Sequence, residues 1–375
     1  MKIAYLLGSL NRGGAETLLL DVCRNARSNE LDAIVIHRKS GVLEREFLET
    51  GVPMFKVPVG SNRFGYLFKL RKILIDNQID IVHAQQPLDA LLAWIICLSL
   101  ATRVILTFHG YDYVEKKIGH LIRSFIIRHT YINVYVSKTQ RNYYLNQYKI
   151  ITYKQEVVYN GISFDKLDVA KTVLSQSLIS NSSKLIRDEL SISSTTLLLG
   201  AVGNFNDVRD QLTTCRFLKL LQEQDLDFHF VFVGKRIESR ADLYDNCVGF
   251  CKSNGLLDSV SFLGVRNDVP MILNQLDAFI YSTHHDTFGI AVVEAMAVGI
   301  PVFVNDWGVM NEITDNGKYA TIYKTGDEND LLREFMLFLQ SKTDYVTKAN
   351  DAAAFVRERY SIEKHIQNLK IVYSK

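Results

Sequence analysis

The chain has few cysteines and prolines, and it lacks an apolar run long enough to cross a membrane. Its 375 residues include five cysteines and five prolines. An odd number of scattered cysteines favours a reducing, cytoplasmic setting over a disulfide-stabilised secreted domain. The longest apolar run, residues 90–101, is too short for a bilayer and predicts a buried helix. The first residues show no signal-peptide pattern, because a short apolar run at residues 3–7 leads into polar, glycine-rich sequence. The cysteines are Cys23, Cys97, Cys215, Cys247 and Cys251.

Charge is distributed unevenly along the chain, although the net charge is only +2. Residues 1–160 contain 21 Lys and Arg residues against 13 Asp and Glu residues, whereas residues 161–375 contain 22 against 28. A basic first half predicts contact with something anionic, either a membrane surface or a phosphorylated acceptor. No nucleic-acid motif accompanies the charge, so nucleic acid is not predicted as a partner.

Short β-rich runs alternate with helical stretches through most of the sequence. This alternation is typical of parallel sheets covered by helices, and it makes the predicted fold class α/β. The alternation stops in a polar, serine-rich stretch, residues 162–195, and then restarts. We therefore predict two doubly wound, Rossmann-like domains, residues 1–161 and 196–355, that face each other across a cleft, with residues 162–195 as the interdomain connection. The predicted strands cover residues 2–7, 33–37, 79–83, 103–108, 132–136, 156–159, 196–202, 228–233, 260–263, 278–281 and 301–304.

The segment from Asp286 to Glu294 places two carboxylates around a Phe-Gly pair at the start of an apolar stretch. If the whole segment were helical, the two acids would lie about 12 Å apart, roughly the reach of a nucleotide-sugar. The start of a helix offers free N–H groups and a positive dipole end that accept a diphosphate. Asp286 is also suited to cap the helix. Glu294 is less easily explained as structural, because its neighbours are apolar and burying an unpaired carboxylate is unfavourable.

Three further sets of residues follow predicted strands, where ligands bind in such sheets. Gly13 and Gly14 come after the first strand and allow the backbone to approach a ligand closely. They do not form the dinucleotide fingerprint, which has a third glycine and a downstream acid. His109 follows the strand 103–108 and would place an imidazole at the cleft, although a histidine there is often only a polar strand-end residue. Arg209 follows the first strand of the second domain and can bind two phosphate oxygens at once.

Residues 286–312 resemble the donor-site signature of the family-4 retaining glycosyltransferases, whose fold is GT-B. That family has Glu, seven residues and a second Glu, whereas this chain has the shorter Asp286 at the first position. The resemblance runs through nearly the whole chain and is sharpest in residues 260–315. It implies that residues 356–375 form a helix that crosses back onto the first domain. The residues that carry the resemblance are Asp286, Glu294, Gly299, Pro301, Val302, Asn311, Glu312 and Ile313.

The resemblance implies a role for each candidate residue. Asp286 and His109 would lie beside the transferred sugar as catalytic residues, and Glu294 would hold the ribose hydroxyls. Arg209 would bind the diphosphate, but the family has a second cation where this chain has Asn204, so we expect weaker donor binding. The other implied donor contacts are the glycines Gly13 and Gly14 at the diphosphate, Val265 and Arg266 beside the nucleobase, and the N–H groups of Thr287, Phe288, Gly289 and Ile290 at the phosphates.

The function implied by the resemblance is a retaining, metal-independent hexosyltransferase. It would move a sugar from a nucleotide-diphosphate donor, with a UDP-sugar favoured, to a saccharide or lipid-linked acceptor in surface polysaccharide synthesis, such as lipopolysaccharide or capsule. No cofactor or metal is expected, because a helix dipole and Arg209 can neutralise the leaving diphosphate. Two alternatives stay open. Asn204 and Asp286 favour a catalytically weakened nucleotide-sugar-binding protein, and paired Rossmann-like sheets would also suit a nucleotide-dependent oxidoreductase.

Residues 63–74 mix aromatic and basic residues at helical spacing. A basic amphipathic helix can lie in a lipid interface. An ordinary surface helix whose apolar face packs on the sheet fits the same spacing. Together with Lys116, Lys117, Arg123 and Arg128, the segment leads us to expect peripheral contact with the anionic inner face of a membrane.

Overall fold

Apolar strands alternate with helices and form one parallel sheet in each of two units. We describe the protein from a computed structural model, which covers residues 1–59, 63–111, 117–150, 154–180 and 185–375. The first unit contains Met1–Ile162 together with Tyr360–Lys375, and the second unit contains Ser163–Arg359. Both sheets have helices between successive parallel strands, which confirms the predicted α/β, doubly wound fold class.

The first unit begins with the longest strands of the chain. Its strands are β1 (Lys2–Ser9), β2 (Asp32–Lys39), β3 (Met54–Lys56), β4 (Ile81–Ala84), β5 (Arg103–Phe108), β6 (Ile132–Tyr135) and β7 (Gln155–Val157). Its helices are α1 (Gly14–Arg24), α2 (Glu44–Glu49), α3 (Arg63–Asp76), α4 (Pro87–Cys97), α5 (Lys117–His129) and α6 (Lys138–Tyr148). Within the described ranges the strand order is β3-β2-β1-β4-β5-β6-β7, so the winding direction reverses between β1 and β4.

The second unit repeats this arrangement. Its strands are β8 (Leu197–Val202), β9 (Phe228–Val233), β10 (Val260–Gly264), β11 (Ala278–Tyr281), β12 (Val302–Asn305) and β13 (Thr321–Tyr323). Its helices are α7 (Asp165–Ser180), α8 (Ile186–Glu189), α9 (Gln211–Gln222), α10 (Ala241–Ser253), α11 (Val269–Leu273), α12 (Ile290–Val298), α13 (Gly308–Ile313), α14 (Glu328–Gln340) and α15 (Lys342–Tyr360), with a 3-10 turn at Glu238–Arg240. In the part of the chain described, the strand order is β10-β9-β8-β11-β12-β13, and the winding reverses between β8 and β11.

The helices next to the predicted domain boundaries, α7 and α16 (Ile362–Ser374), each pack within one of the two units. Helix α7 packs against α11 and α12, so much of the stretch predicted as an interdomain connection is part of the second unit. The final helix, α16, packs against α1 in the first unit. A break at Ser361 separates α15 from α16, because the Ser361 hydroxyl accepts a hydrogen bond from the backbone N–H of Lys364 and caps the new helix.

Candidate active site

The loops after β8 and β11 carry the main predicted donor-site residues. Arg209 lies between β8 and α9, and Asp286 lies between β11 and α12. Ligands of doubly wound sheets bind beyond the carboxyl ends of the strands, at the point where the winding reverses. The structure therefore brings together, at the expected point of the sheet, two side chains that are 77 positions apart in the sequence.

Asp286 and Arg209 form a largely buried ion pair. Nη1 of Arg209 lies 2.5 Å from Oδ2 of Asp286, and the two side chains are 17% and 14% exposed. The guanidinium lies over the ring of Tyr281, 4.4 Å from its centroid, and the Tyr281 hydroxyl donates to the same carboxylate oxygen. The predicted phosphate ligand and the predicted sugar-side acid thus contact each other in this structure.

The segment from Asp286 to Glu294 is not one continuous helix. Helix α12 begins at Ile290, and its N-cap residue Gly289 has a φ of +88°. A Cβ atom at Gly289 would lie 2.9 Å from Cε of Met310, so both the backbone angle and the space favour glycine. The distance of about 12 Å between the acids, which assumed a helix throughout, therefore does not apply. Glu294 is half-buried in the second turn of α12, and Asp286 precedes the helix.

The Asp286 carboxylate caps the chain just before α12. Its Oδ1 accepts hydrogen bonds from the backbone N–H groups of Thr287, at 2.8 Å, and of Phe288, at 3.3 Å. Its backbone carbonyl accepts from Nε1 of Trp307 at 3.1 Å. Of the four N–H groups predicted to hold phosphate, the carboxylate therefore occupies the first two. A diphosphate has to displace this carboxylate in order to reach them.

Arg266 takes part in a separate ion-pair cluster after β10. Its guanidinium donates to both carboxylate oxygens of Glu189, at 2.7 and 3.0 Å, and to both of Asp268, at 2.8 and 2.6 Å. These bonds join the loop after β10 to the end of α8. The Arg266 side chain therefore has a structural role here, and the Val265 side chain is 70% exposed.

In the first unit, Gly13 and Gly14 begin α1. Gly13 is the N-cap residue, and its carbonyl accepts from the N–H of Thr17 at 2.9 Å. The Glu16 carboxylate folds over this helix start, since a Cβ atom at Gly13 would lie 2.5 Å from its Oε2. Burial raises the pKa of Glu16. The glycines predicted to contact a diphosphate thus share the helix start with an acid.

His109 follows β5 and is hydrogen-bonded to the residue after the neighbouring strand. Its Nε2 lies 2.7 Å from Oε1 of Gln85, which comes directly after β4. Burial and the nearby His365 lower the pKa of His109 to about 4. The imidazole is therefore neutral at physiological pH and can exchange hydrogen bonds without carrying charge.

His83 belongs to a buried network between β4 and the C-terminal helix. Its Nδ1 lies 2.7 Å from the hydroxyl of Tyr373, its Nε2 lies 2.6 Å from the hydroxyl of Thr107, and the hydroxyls of Tyr373 and Tyr5 are 2.9 Å apart. Burial lowers the pKa of His83 to about 3. His83, Gln85, Thr107, His109 and His365 line one small cavity of about 20 Å³, together with Tyr5 and apolar residues of α1 and α16.

Sequence reasoning missed three residues that hold the candidate site residues in place. Tyr281 contacts both Asp286 and Arg209, Trp307 holds the Asp286 backbone, and Gln85 binds His109. Each lies at or just after the carboxyl end of a central strand. That position was the signal that could have found them, because the ligand side of a doubly wound sheet begins there.

Within the described ranges, no group of three or more His, Cys, Asp or Glu side chains is placed to hold a metal ion. Among the helices that the structure describes, none is both long enough and apolar enough to cross a bilayer.

Known proteins resemble the chain over nearly all of its length. Residues 182–358 match the model of the family described as glycosyl transferases group 1, and residues 12–166 match that of glycosyltransferase family 4. The O-antigen biosynthesis glycosyltransferase WclY of Escherichia coli is 22% identical over 334 residues, covering 84% of this chain and 83% of the relative. The Escherichia coli UDP-Gal:alpha-D-GlcNAc-diphosphoundecaprenol alpha-1,3-galactosyltransferase is 23% identical, covering 100% of this chain and 96% of the relative.

Comparison with solved structures gives the same fold. Anabaena Alr3699/HepE, in complex with UDP and glucose, superposes with a TM-score of 0.82 at 18% sequence identity, covering 100% of both chains. Together the two family matches span both units, and both units have the sheet order expected of Rossmann-like domains. The chain therefore belongs to the group 1, family-4 glycosyltransferases, which have the GT-B fold.

Proposed function

We propose that this glycosyltransferase moves a sugar from a UDP-sugar to a saccharide or lipid-linked acceptor, with retention of anomeric configuration, in the synthesis of a surface polysaccharide such as lipopolysaccharide or capsule. One relative is named for O-antigen biosynthesis, and another is named for UDP-Gal and a diphosphoundecaprenol-linked acceptor. The similar solved structure contains UDP and glucose. These names support a UDP-sugar donor and a glycan acceptor on a lipid carrier.

The observation that carries the proposal is the position of Arg209 beside the start of α12, where the winding of the second sheet reverses. A diphosphate carries more negative charge than a carboxylate and offers more oxygens. It can therefore compete with Asp286 for Arg209 and for the N–H groups of Thr287 and Phe288. The positive end of the α12 dipole favours the same anion. Glu294, in the second turn, would accept hydrogen bonds from the ribose hydroxyls.

Displacement of Asp286 from Arg209 would free its carboxylate for the transferred sugar. We assign His109 to the same sugar, and Gly13 and Gly14 to the diphosphate, by the family resemblance. The leaving phosphate would accept the proton of the acceptor hydroxyl, so that no protein carboxylate has to form a covalent bond to the sugar. Arg209 and the helix start would stabilise the charge that develops on the leaving group, and this step needs no metal ion.

The donor proposal can be tested by ligand-induced stabilisation. We expect UDP-sugars to raise the melting temperature more than GDP- or ADP-sugars, because a ligand that binds only the folded state stabilises it. We also expect the native protein to hydrolyse the UDP-sugar slowly. Glu294→Ala should abolish both this hydrolysis and the rise in melting temperature. Glu358→Ala is the matched control, because Glu358 is an exposed acid on α15. A rise in melting temperature that survives in Glu294→Ala would contradict the proposed donor site. Absence of hydrolysis in the native protein would favour the alternative function, a catalytically weakened nucleotide-sugar-binding protein. The anomeric configuration of the product tests retention.

We also propose that the first unit docks on an anionic membrane at the cytoplasmic face. Helices α3 and α5 both contact α4, and the ring of Trp94 on α4 packs 4.9 Å from that of Phe125 on α5. On α5 the exposed apolar side chains recur every three or four residues, which makes one stripe. Lys69, Arg123 and Arg128 supply positive charge on α3 and α5, whereas Lys72 is paired with Asp76. The exposed apolar residues of this proposed membrane surface are Phe64, Phe68, Leu88, Ile95, Leu98, Ile118, Leu121, Ile122 and Phe125.

The structure changes which helix is central to this membrane proposal. In α3, the predicted amphipathic helix, Tyr66, Leu70 and Leu74 are buried in the first unit, as in an ordinary surface helix. Phe64 and Phe68 lie on its exposed side, but α5 exposes a longer apolar stripe. Of the basic residues that accompanied the prediction, Lys116 lies outside the described residues.

Vesicle sedimentation tests the membrane proposal. We expect the protein to sediment with vesicles rich in anionic lipid at low salt, and to be released as salt screens the charges. Replacing Ile118 and Leu121 together by Ser should abolish sedimentation, because both side chains belong to the exposed stripe. Val346→Ser is the control, since this exposed residue lies on α15 in the second unit. Equal sedimentation of all three proteins would contradict the surface.

A further inference from the structure

We propose that Gln85 is a positioning residue that fixes the tautomer of His109, so that Nδ1 of His109 can only accept a hydrogen bond and the sugar group facing it must be a donor such as a hydroxyl. The first half of this inference concerns only the protein. The second half rests on the proposed function, because it needs His109 to contact the transferred sugar.

The backbone holds Gln85 and His109 in a fixed relation. Strands β4 and β5 are neighbours in parallel register, with Ala84 opposite Leu106, and Gln85 and His109 leave their carboxyl ends. The N–H of Gln85 donates to the carbonyl of Leu6 at 3.2 Å, which ties this residue to β1 as well. The Gln85 side chain is 8% exposed. Its position is therefore set by three strands of the sheet.

The hydrogen bond between the two side chains has only one chemically allowed direction. Oε1 of Gln85 is an amide oxygen, which accepts hydrogen bonds and cannot donate. It lies 2.7 Å from Nε2 of His109, so Nε2 has to carry a proton. The Gln85 amide nitrogen lies 3.4 Å from the carbonyl of His83, which agrees with an amide whose oxygen faces His109. A neutral imidazole has a single N–H, and a hydrogen bond at one ring nitrogen therefore sets the chemistry of the other.

The surroundings of His109 keep the ring neutral. The titratable groups that line the same cavity are His83, His365 and Tyr5, and none of them is a carboxylate. The Tyr5 hydroxyl bonds to Tyr373, and burial together with the nearby His365 lowers the pKa of His109 to about 4. At neutral pH, Nδ1 therefore carries a lone pair. A sugar hydroxyl can donate to it, whereas a sugar carboxylate would face lone-pair repulsion.

Nuclear magnetic resonance tests the tautomer without any substrate. Long-range 1H–15N spectra of protein labelled with 15N-histidine distinguish the two neutral tautomers, and His109→Gln identifies the His109 signals among the nine histidines. We expect the Nε2–H form in the native protein and loss of this preference in Gln85→Leu. Thr107→Val removes the hydroxyl that bonds His83 in the same cavity and should leave the His109 signals unchanged. An Nδ1–H form in the native protein, or native signals in Gln85→Leu, would overturn the inference.

Gln85→Glu provides a second variant that keeps the size and the acceptor. A carboxylate beside His109 favours the imidazolium form, in which both nitrogens donate. The midpoint of the His109 titration should rise by at least about one pH unit. An unchanged midpoint would overturn the placement of Gln85 even if Gln85→Leu failed to fold.

Turnover then tests the sugar restriction. Gln85→Leu should lower kcat for a UDP-hexose by about tenfold, which corresponds to loss of one oriented hydrogen bond, with a smaller change in KM. In an assay at a pH below the raised His109 midpoint, Gln85→Glu should shift the preference about tenfold from a UDP-hexose towards a UDP-hexuronic acid, because an imidazolium attracts a carboxylate. If the spectra behave as expected but turnover and preference stay native, the sugar restriction and the proposed role of His109 are both wrong, while the Gln85 contact stands.

Discussion

Acidification should destabilise the first unit through histidines that are buried in neutral form. His83 and His365 are 2% and 7% exposed, and their pKa values fall from 6.5 to about 3 and about 4. Between the folded and unfolded pKa values, the unfolded chain binds more protons, so the stability present at pH 7.5 is lost as pH falls below 6.5. Lowering pH from 7.5 to 5.5 should cost about 1.4 kcal/mol for each of the two residues, or about 3 kcal/mol together. Protonation of His109 lowers the stability further at low pH, because its pKa is also lowered in the folded protein.

This loss is a substantial fraction of the 5–15 kcal/mol that typically stabilises a folded protein. The two tryptophans make it measurable, because Trp94 lies in the first unit and Trp307 in the second. In a Trp307→Phe background, the fluorescence of Trp94 follows urea unfolding of the first unit alone. We expect the free energy of unfolding to fall by about 3 kcal/mol or more between pH 7.5 and 5.5.

A variant at one histidine separates this effect from other titrating groups. His365 donates from Nδ1 to the carbonyl of Tyr159 at 2.7 Å, and Asn at this position keeps a donor without a titrating ring. His365→Asn should therefore reduce the pH dependence by about 1.4 kcal/mol. Glu16 and Asp89, whose pKa values burial raises, titrate in the opposite sense but are common to both proteins. Identical pH dependence in the two proteins, or stability that increases on acidification, would refute the reasoning.

Three further predictions concern the second unit. Asp286→Asn removes the charge that pairs with Arg209. UDP should therefore bind up to about tenfold more tightly in calorimetric titration, while the rate of sugar transfer falls. Weaker UDP binding would contradict the competition between carboxylate and diphosphate. Arg266→Ala should lower the melting temperature, because it breaks the contacts with two carboxylates, but leave the dissociation constant for UDP unchanged; a large loss of UDP affinity would show that the side chain binds the donor. Gly289→Ala should lower the free energy of unfolding of the second unit by about 1–3 kcal/mol, as measured by urea unfolding with Trp307 fluorescence. The loss should exceed that of Gly326→Ala, because Gly326 has a similar φ of +72° but open space at its Cβ position. Equal losses would mean that the Met310 contact has no effect.

The central strands were predictable because they are buried on both faces and read as continuous apolar runs. The strands 103–108, 228–233 and 278–281 were predicted with the bounds that the structure shows. Sequence reasoning missed β3 and β13, which have three residues each and lie at sheet edges, where a short run has no detectable period. It also missed the helix break at Ser361, because the capping serine lies in an otherwise helical pattern.

The candidate site was predictable as a set of residues but not as a set of contacts. Spacing identified Asp286, the place after a predicted strand identified Arg209, and the family resemblance gave each a role. That the two bind each other depends on β8 and β11 being neighbours in the sheet, which no local pattern reveals. The same holds for Arg266 and Glu189, which are 77 positions apart. Sequence patterns locate strand ends, whereas pairings across them require the fold.

The position of α16 affects the order in which the protein can fold during synthesis. Tyr373 is fully buried and bonds Tyr5 in the first strand, so the network around His83 stays incomplete until residue 373 is available. Domains usually fold in the order in which they leave the ribosome. Here the second unit, which ends at Arg359, emerges whole before the first unit is complete. A nascent chain that is halted once residue 360 has left the ribosome should therefore carry a folded second unit and a first unit whose apolar surface under α16 is still open to chaperones.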